Sequence, residues 1–419
     1  MNRVLVVSHA TPHFPGPGSE TRVFCLAEQL SREFDIEFLL PDYGEGNREQ
    51  VEALRSRFSV ETFRAKPETG HWNRLHWTWF RWRRRLEGWG RHLSATPQMV
   101  HQLRLIFPGL IAALERVRWE RYDLVHFVHP ESAVVLGKVS VPLPKTLDWV
   151  DERTTVLRRQ EKGTSWSQGQ QILELWRVER FQRWVARQFD AGFVSSDVDA
   201  ERLGRRTGVR PVVVDNAVRL EYFTNRSAER PDSNDIVFTG QMSYEPNVDA
   251  VRYFSEEILP LILRDVPDGR FYIVGMQPAP EVRAIAERLG ESVIVTGEVA
   301  DVRPYLCRSK VSVVPLRNGG GTRLKVLEAM AMRRPVVSTR IGCEGLMVEE
   351  GKHLLIGENP SNFAAAVVSL LKDGERWQRF AENGRKLVEE RYGWRKSAER
   401  IAEVWRALIE KDVQGVTSG

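Results

Sequence analysis

The residues of this chain that could do chemistry gather between Pro315 and Ala331, in P-L-R-N-G-G-G-T-R-L-K-V-L-E-A-M-A. Gly319, Gly320 and Gly321 let a backbone approach a ligand closely, and Leu324, Leu327 and Ala331 recur at helical spacing just beyond them. The free N–H groups of a helix start favour an anion. Arg323 and Lys325 add two positive charges to what the spacing makes the first helical turn, where an isolated helix would prefer carboxylates. Cations set against the dipole point to a strong anion between them, such as a diphosphate. Glu328 follows Lys325 by three residues and projects beside it. A carboxylate there can accept two hydroxyl hydrogen bonds, as from a ribose. A solvated helix start with ordinary surface charges has the same short spacing, so the rest of the chain has to decide.

Those residues need elements to hold them. A chain of 419 residues is long enough for two domains, each with its own core. Hydrophobic residues at 42% and charged residues at 28% describe a soluble globular protein. The net charge of +5 suits an anionic substrate or a membrane surface, and no nucleic-acid signature accompanies it. Cys25, Cys307 and Cys343 form neither a metal-ligand spacing nor a disulfide framework, so a reducing, cytoplasmic setting without a metal site is expected. The opening M-N-R-V-L-V-V-S-H-A reads as a first strand and not a secretory signal, and no apolar run reaches the roughly 18 residues of a spanning helix.

Short β-rich runs alternate with helical patterns, which is the signature of parallel sheets covered by helices. Strands are expected at 4–8, 36–40, 124–128, 146–150, 192–195 and 212–214, with a helix over 20–34. The pattern restarts with strands at 236–239, 271–274, 293–296, 311–314 and 336–338. Between the two series lies the polar stretch N-R-S-A-E-R-P-D-S-N-D, from Asn225. A last helix runs from Trp394 to Ile409. The expected fold is α/β: an N-terminal domain over 1–224, a C-terminal domain over 225–393, and a C-terminal helix and tail over 394–419 that returns to the first domain. Two doubly wound domains would face one another across a crevice at the carboxyl ends of their strands. The residues 71–92 stand apart, with five of the chain's 13 tryptophans and six arginines against one glutamate. Trp72 to Arg91 suits an anionic lipid surface, and a helix packed on its own domain fits the same composition.

Taken together, the blocks F-T-G-Q-M-S-Y-E-P-N-V-D-A-V-R-Y-F, V-T-G-E-V-A-D-V-R-P-Y-L and G-G-G-T-R-L-K-V-L-E-A-M-A carry a resemblance. The chain resembles the family 4 glycosyltransferases of the GT-B fold, within them the bacterial transferases of exopolysaccharide and cell-envelope assembly. The resemblance implies retaining transfer of a sugar from a nucleoside diphosphate sugar to a glycan, lipid-linked or small-molecule acceptor. No cofactor is expected. No D-x-D-like element stands out as a metal site and two cationic side chains can replace a divalent ion, so no metal is expected either. The resemblance further implies that Arg323 and Lys325 bind the diphosphate and that Glu328 binds the ribose. Gly297 and Val299 would lie against the nucleobase, and Gly240 and Met242 beside the phosphates, with Gly320, Gly321 and Thr322 completing the donor loop. On the acceptor side it implies Gly16, Gly18, Glu20 and Arg22, with His129 as the active-site histidine beside the nearby His126. Asp148 lies past a strand end, where it could line the acceptor side or sit in a solvated loop.

Two departures stand out. Many relatives have a glutamate eight positions before the ribose-binding one, where this chain has Gly320. Many also have Arg and Lys after the first strand of the second domain, where this chain has Q-M-S-Y-E-P-N. Arg323 and Lys325 can compensate from another helix. Two other classes stay open: a non-catalytic sugar-nucleotide binding or assembly protein, and a nucleotide-sugar epimerase, for which no set of acid and base groups is evident near Glu328.

Overall fold

The computed structural model describes residues 1–64, 106–150, 153–159, 168–224 and 229–417. The Trp/Arg-rich segment 71–92 therefore lies outside the described residues. Runs of Val, Ile, Leu and Phe too short for helices become strands buried on both faces. The first sheet contains β1 (Arg3–Val7), β2 (Asp35–Asp42), β3 (Ser59–Arg64), β4 (Leu124–Val128), β5 (Lys145–Asp148), β6 (Ala191–Val194) and β7 (Val212–Val213). Its spatial order is β3-β2-β1-β4-β5-β6-β7, with every neighbouring pair parallel. The second contains β8 (Asp235–Thr239), β9 (Arg270–Val274), β10 (Val293–Gly297), β11 (Val311–Val314), β12 (Val336–Ser338) and β13 (Leu355–Ile356). Its order is β10-β9-β8-β11-β12-β13, again parallel throughout.

Each sheet reverses its winding once, between β1 and β4 in the first and between β8 and β11 in the second. Loops leaving neighbouring strands diverge at such a switch point and open a crevice. The loops after β1, β8 and β11 are the ones that matter here.

The last helix, Trp394–Thr417, packs in the first domain. Trp394, Ala398, Ile401, Trp405 and Ile409 are buried there with Val4, Leu26, Phe34 and Ile36. Each large apolar side chain fully buried in this way contributes about 1.5–3 kcal/mol. Trp405 also donates its indole N–H to Thr146 Oγ1 at 3.1 Å, so the helix is keyed to the sheet by a buried polar contact. The helix runs eight residues past Ile409, where the expected one stopped. Two strands escape the sequence pattern. β3 is an edge strand with only Phe63 buried, and β13 has two residues. The helix Gly18–Leu30 is displaced from the expected 20–34, because Pro17 precedes its first turn and the carbonyl of Leu30 closes a turn with Glu33 and Phe34. Among the described residues, no helix is long and apolar enough to cross a membrane.

Candidate functional site

A cleft of about 760 Å³ lies between the two domains at the carboxyl ends of both sheets. The first domain contributes the loop from His13 to Gly18, with Arg22, Val150 and Asn216. The second contributes Gly240, Gln241, Tyr244, Asn247, Val299, Gly319, Gly320, Thr322, Arg323, Lys325 and Glu328. The size suits a small organic ligand.

Positive charge is concentrated on one wall. The helix Leu324–Ala331 starts one residue later than its spacing suggests, so Arg323 is the cap residue and not part of the first turn. Its Nη1 folds back onto the carbonyls of Gly320 and Gly321. A Cβ on Gly319 would meet the Arg323 Nη2 at 2.6 Å, and Gly319 has φ +133°, which is why glycine stands there. Asn318 Oδ1 accepts the N–H of Gly319 at 2.7 Å and fixes the start of the loop.

Lys325 turns the other way, toward β8. Its Nζ donates to Asn247 Oδ1 at 2.9 Å and lies 3.9 Å from the centroid of the Phe238 ring. Asn247 in turn donates Nδ2 to the carbonyl of Gln241 at 2.9 Å. Burial, with Arg323 nearby, lowers the Lys325 ammonium to a pKa of about 7, against the opposing pull of Glu328. Burial raises the Glu328 carboxyl to about 7, and Lys325 resists that rise. Lys325 therefore gives up its proton more readily than an ordinary lysine, and Glu328 keeps its proton to higher pH than an ordinary glutamate. A dianion entering the cleft would restore the full charge of Lys325.

Gly240 permits this arrangement. A Cβ there would come within 2.8 Å of Lys325 Nζ, and one on Gly275 would come within 1.7 Å of the Gly240 carbonyl oxygen. Met242 does not reach the cleft. Its side chain is fully buried in the core of the second domain, and its backbone joins Met276 and Ala279. Gln241 occupies the place expected for it. Gly297, at φ +70°, makes the turn after β10 that brings Val299 to the cleft. Gly321 turns the donor loop at φ +68° without lining the cleft, and Thr322 is buried with its Oγ1 lacking a hydrogen-bond partner among the described residues.

The first domain departs further from expectation. Asp148 is 1% exposed and Arg22 fully buried, and they form an ion pair of 2.8 Å. Neither is a free acceptor-side group. Arg22 Nη1 continues to Asn216 Oδ1 at 2.8 Å, and Asn216 Nδ2 reaches the Thr322 carbonyl at 3.4 Å. The pair thus supports the glycine loop before Arg323 from beneath, through Asn216. Gly16 and Gly18 line the cleft, with the His13 ring packed under Gly16. Glu20 accepts from Ser19 Oγ in the first turn of its helix and does not line the cleft.

The two histidines separate cleanly. His126 is buried against Trp405 and Phe193, bonds Thr146 Oγ1 at 2.9 Å, and is pushed down to about 4 by burial. It belongs to the core. His129 ends β4 at φ +64°, with its ring 4.8 Å from that of His9. Val150, next to the end of β5, also has positive φ, at +59°. Two of the four non-glycine residues with positive φ among the described residues thus follow β4 and β5, and the other two, Gln277 and Arg333, lie in the second domain. His129 is not among the residues lining the cleft, so the structure does not bring it together with Arg323 and Lys325.

Three residues escaped the sequence reading. Asn247 was visible in Q-M-S-Y-E-P-N, but only folding shows that it holds Lys325. Arg159 donates Nη1 to the Gly319 carbonyl at 3.0 Å and Nη2 to Glu344 Oε1 at 2.7 Å, and Arg202 reaches the same carboxylate at 2.9 Å. Glu344 therefore joins the domains behind the Gly319 loop and is not among the residues lining the crevice. The two guanidiniums overcome burial and hold its carboxyl at about 2.

This architecture, two doubly wound parallel domains with a cleft at facing strand ends, is the GT-B fold of glycosyltransferases. Over it, residues 233–373 match the family described as glycosyl transferases group 1. An Anabaena protein, Alr3699/HepE, whose structure holds UDP and glucose, superposes with a TM-score of 0.69 at 15% identity, over 97% of this chain and all of its own. The uncharacterized glycosyltransferase MJ1178 of Methanocaldococcus jannaschii is 24% identical over 70% of this chain and 77% of its own. D-inositol 3-phosphate glycosyltransferase 2 of Catenulispora acidiphila is 26% identical over 53% of this chain and 57% of its own. An uncharacterized protein of the Klebsiella pneumoniae cps region is 23% identical over 38% of this chain and 43% of its own.

Proposed function

We propose that the protein transfers a sugar from a nucleoside diphosphate sugar to an acceptor hydroxyl, in polysaccharide, glycolipid or other glycoconjugate synthesis. The observation that carries this reading is the wall of Arg323, Lys325 and Glu328 beside the helix Leu324–Ala331, facing an open interdomain cleft. Fixed positive charge acts most on charge that develops during reaction. As the bond from the anomeric carbon to the phosphate oxygen lengthens, negative charge grows on the departing diphosphate beside Arg323 and Lys325. The acceptor oxygen then bonds to the anomeric carbon from the same face, and its proton passes to the leaving phosphate. Configuration is retained, and no protein nucleophile is needed.

Two side-chain cations can neutralise a diphosphate in place of a divalent ion, so the transfer is proposed to be metal-independent. Glu328 receives the ribose hydroxyls, and Gly240, Gln241 and the turn from Gly297 to Val299 form the opposite wall. Gly16 and Gly18 take the acceptor side. A second reading, as a sugar-nucleotide binding protein without transfer, follows from Gly320, where many relatives have a carboxylate.

Mass spectrometry of the purified protein with a panel of nucleoside diphosphate sugars, glycans and lipid extracts, with and without a chelator, tests the proposal. A glycosylated product with release of nucleoside diphosphate, undiminished by chelator, is expected. Donor binding without any turnover would favour the second reading.

A further inference from the structure

Eight large hydrophobic side chains are exposed among the described residues, and Ile172 and Trp176 are the pair that lies one helical turn apart. Ile172 is 68% exposed and Trp176 47%. Both belong to the helix Gln168–Ala186, which covers one face of the first sheet. The same stripe continues through Arg180 and Arg183 to Arg187, all exposed. The Arg180 guanidinium lies 5.5 Å from the Trp176 ring centroid. The acidic residues of this helix offset the stripe only in part: Glu174 is buried with Arg177, and Glu179 is shared between Arg158 at 2.7 Å and Arg183 of the stripe at 3.7 Å.

We infer that this face docks on an anionic lipid bilayer, with Ile172 and Trp176 entering the headgroup boundary and Arg180, Arg183 and Arg187 meeting phosphates. An aliphatic and an indole side chain beside an arginine row match that boundary in both polarity and charge. Residues 153–187 hold eight Lys and Arg against three Asp and Glu, a local surplus of five positive charges. The position also serves the cleft. Gln171 donates to the Leu157 carbonyl at 2.7 Å, and Arg159, two residues on, donates to the Gly319 carbonyl of the donor loop. The docking helix is thereby tied to the Gly319 loop of the cleft.

Sedimentation of the full chain with vesicles of phosphatidylcholine alone, or mixed with phosphatidylglycerol, tests the inference. Binding is expected to the mixed vesicles only, and to weaken as salt is raised. Ile172→Ser with Trp176→Ser, and separately Arg180→Glu with Arg183→Glu, are expected to lower partitioning about ten-fold or more. The melting temperature and its shift by nucleoside diphosphates should stay unchanged, which separates docking from folding and from the donor reading. The inference is overturned if the wild type ignores anionic vesicles or if both double variants bind as it does. It is equally overturned if ultracentrifugation shows the apolar pair mediating self-association, or if nucleic acid and not lipid is retained through the arginines.

Discussion

Lys325 is held by Asn247: its ammonium donates to the amide oxygen at 2.9 Å while resting 3.9 Å from the Phe238 ring centroid. The cation thus reaches the proposed diphosphate position from the helix Leu324–Ala331, and an uncharged residue of the helix Glu245–Tyr253 receives it. Asn247→Ala should loosen Lys325 without removing its charge. The expected loss is about ten-fold in affinity for a nucleoside diphosphate, about 1.4 kcal/mol, measured by calorimetry. Asn247→Asp should lose more, because its carboxylate pairs with Lys325 and repels the ligand. Equal affinities in all three proteins would deny Asn247 this role.

Binding should carry a proton signature. Lys325 is lowered to about 7 by burial in the free protein, and a bound diphosphate favours its charged form. On the alkaline side of that value, binding therefore takes up protons, and affinity falls as pH rises. Glu328 is raised to about 7 by burial, and bound ribose hydroxyls favour its ionised form. On the acid side, binding releases protons, and affinity falls as pH drops. Affinity peaks near neutrality. Calorimetry in buffers of different ionisation enthalpy reads both signs, although the two groups titrate as a pair. Lys325→Arg should flatten the alkaline limb and Glu328→Gln the acid limb.

The Arg22–Asp148 pair makes a prediction about stability. Both side chains are buried, so Asp148→Ala leaves the guanidinium of Arg22 without its counter-charge. The expected cost is about 3–5 kcal/mol in denaturant unfolding. A stable variant with weakened acceptor binding would instead return Asp148 to the acceptor side.

Glu344 offers a pH test of the domain contact. Its folded pKa is about 2, below the ordinary 4.5. A depressed carboxylate contributes stability that is complete above the ordinary value and lost as pH falls toward the folded one. Discounted for solvent screening of this half-buried group, the contribution is about 1–2 kcal/mol. Glu344→Gln should melt lower than wild type at neutral pH, with the gap closing in acid. A gap independent of pH would mean that the ion pairs with Arg159 and Arg202 are not its source.

Much of the fold was legible because strands buried on both faces read as apolar runs, and β4, β11 and β12 fall where the sequence sets them. β3 was not legible, since an exposed edge strand such as S-V-E-T-F-R carries little apolar signal. The glycine turn with Arg323, Lys325 and Glu328 was legible as a unit because its spacing is local. What the sequence could not carry was long-range pairing. Asp148 looks the same whether solvated or sealed against Arg22, 126 residues away. The same limit hid Arg159, whose partner Glu344 is 185 residues distant, and the choice between His126 and His129, which depends on Trp405.

The central claim is that Arg323 and Glu328 form the two ends of a nucleoside diphosphate site. Calorimetric dissociation constants for a panel of nucleoside diphosphates, with wild type beside Arg323→Ala and Glu328→Ala, test it most directly. Each variant removes a hydrogen bond to a charged group, so each is expected to weaken binding of the preferred nucleotide about ten-fold to a hundred-fold. Arg323→Ala should also flatten the dependence on the number of phosphates, which Glu328→Ala should leave intact. Absence of binding to every nucleotide, or affinities unchanged in both variants, would contradict the account.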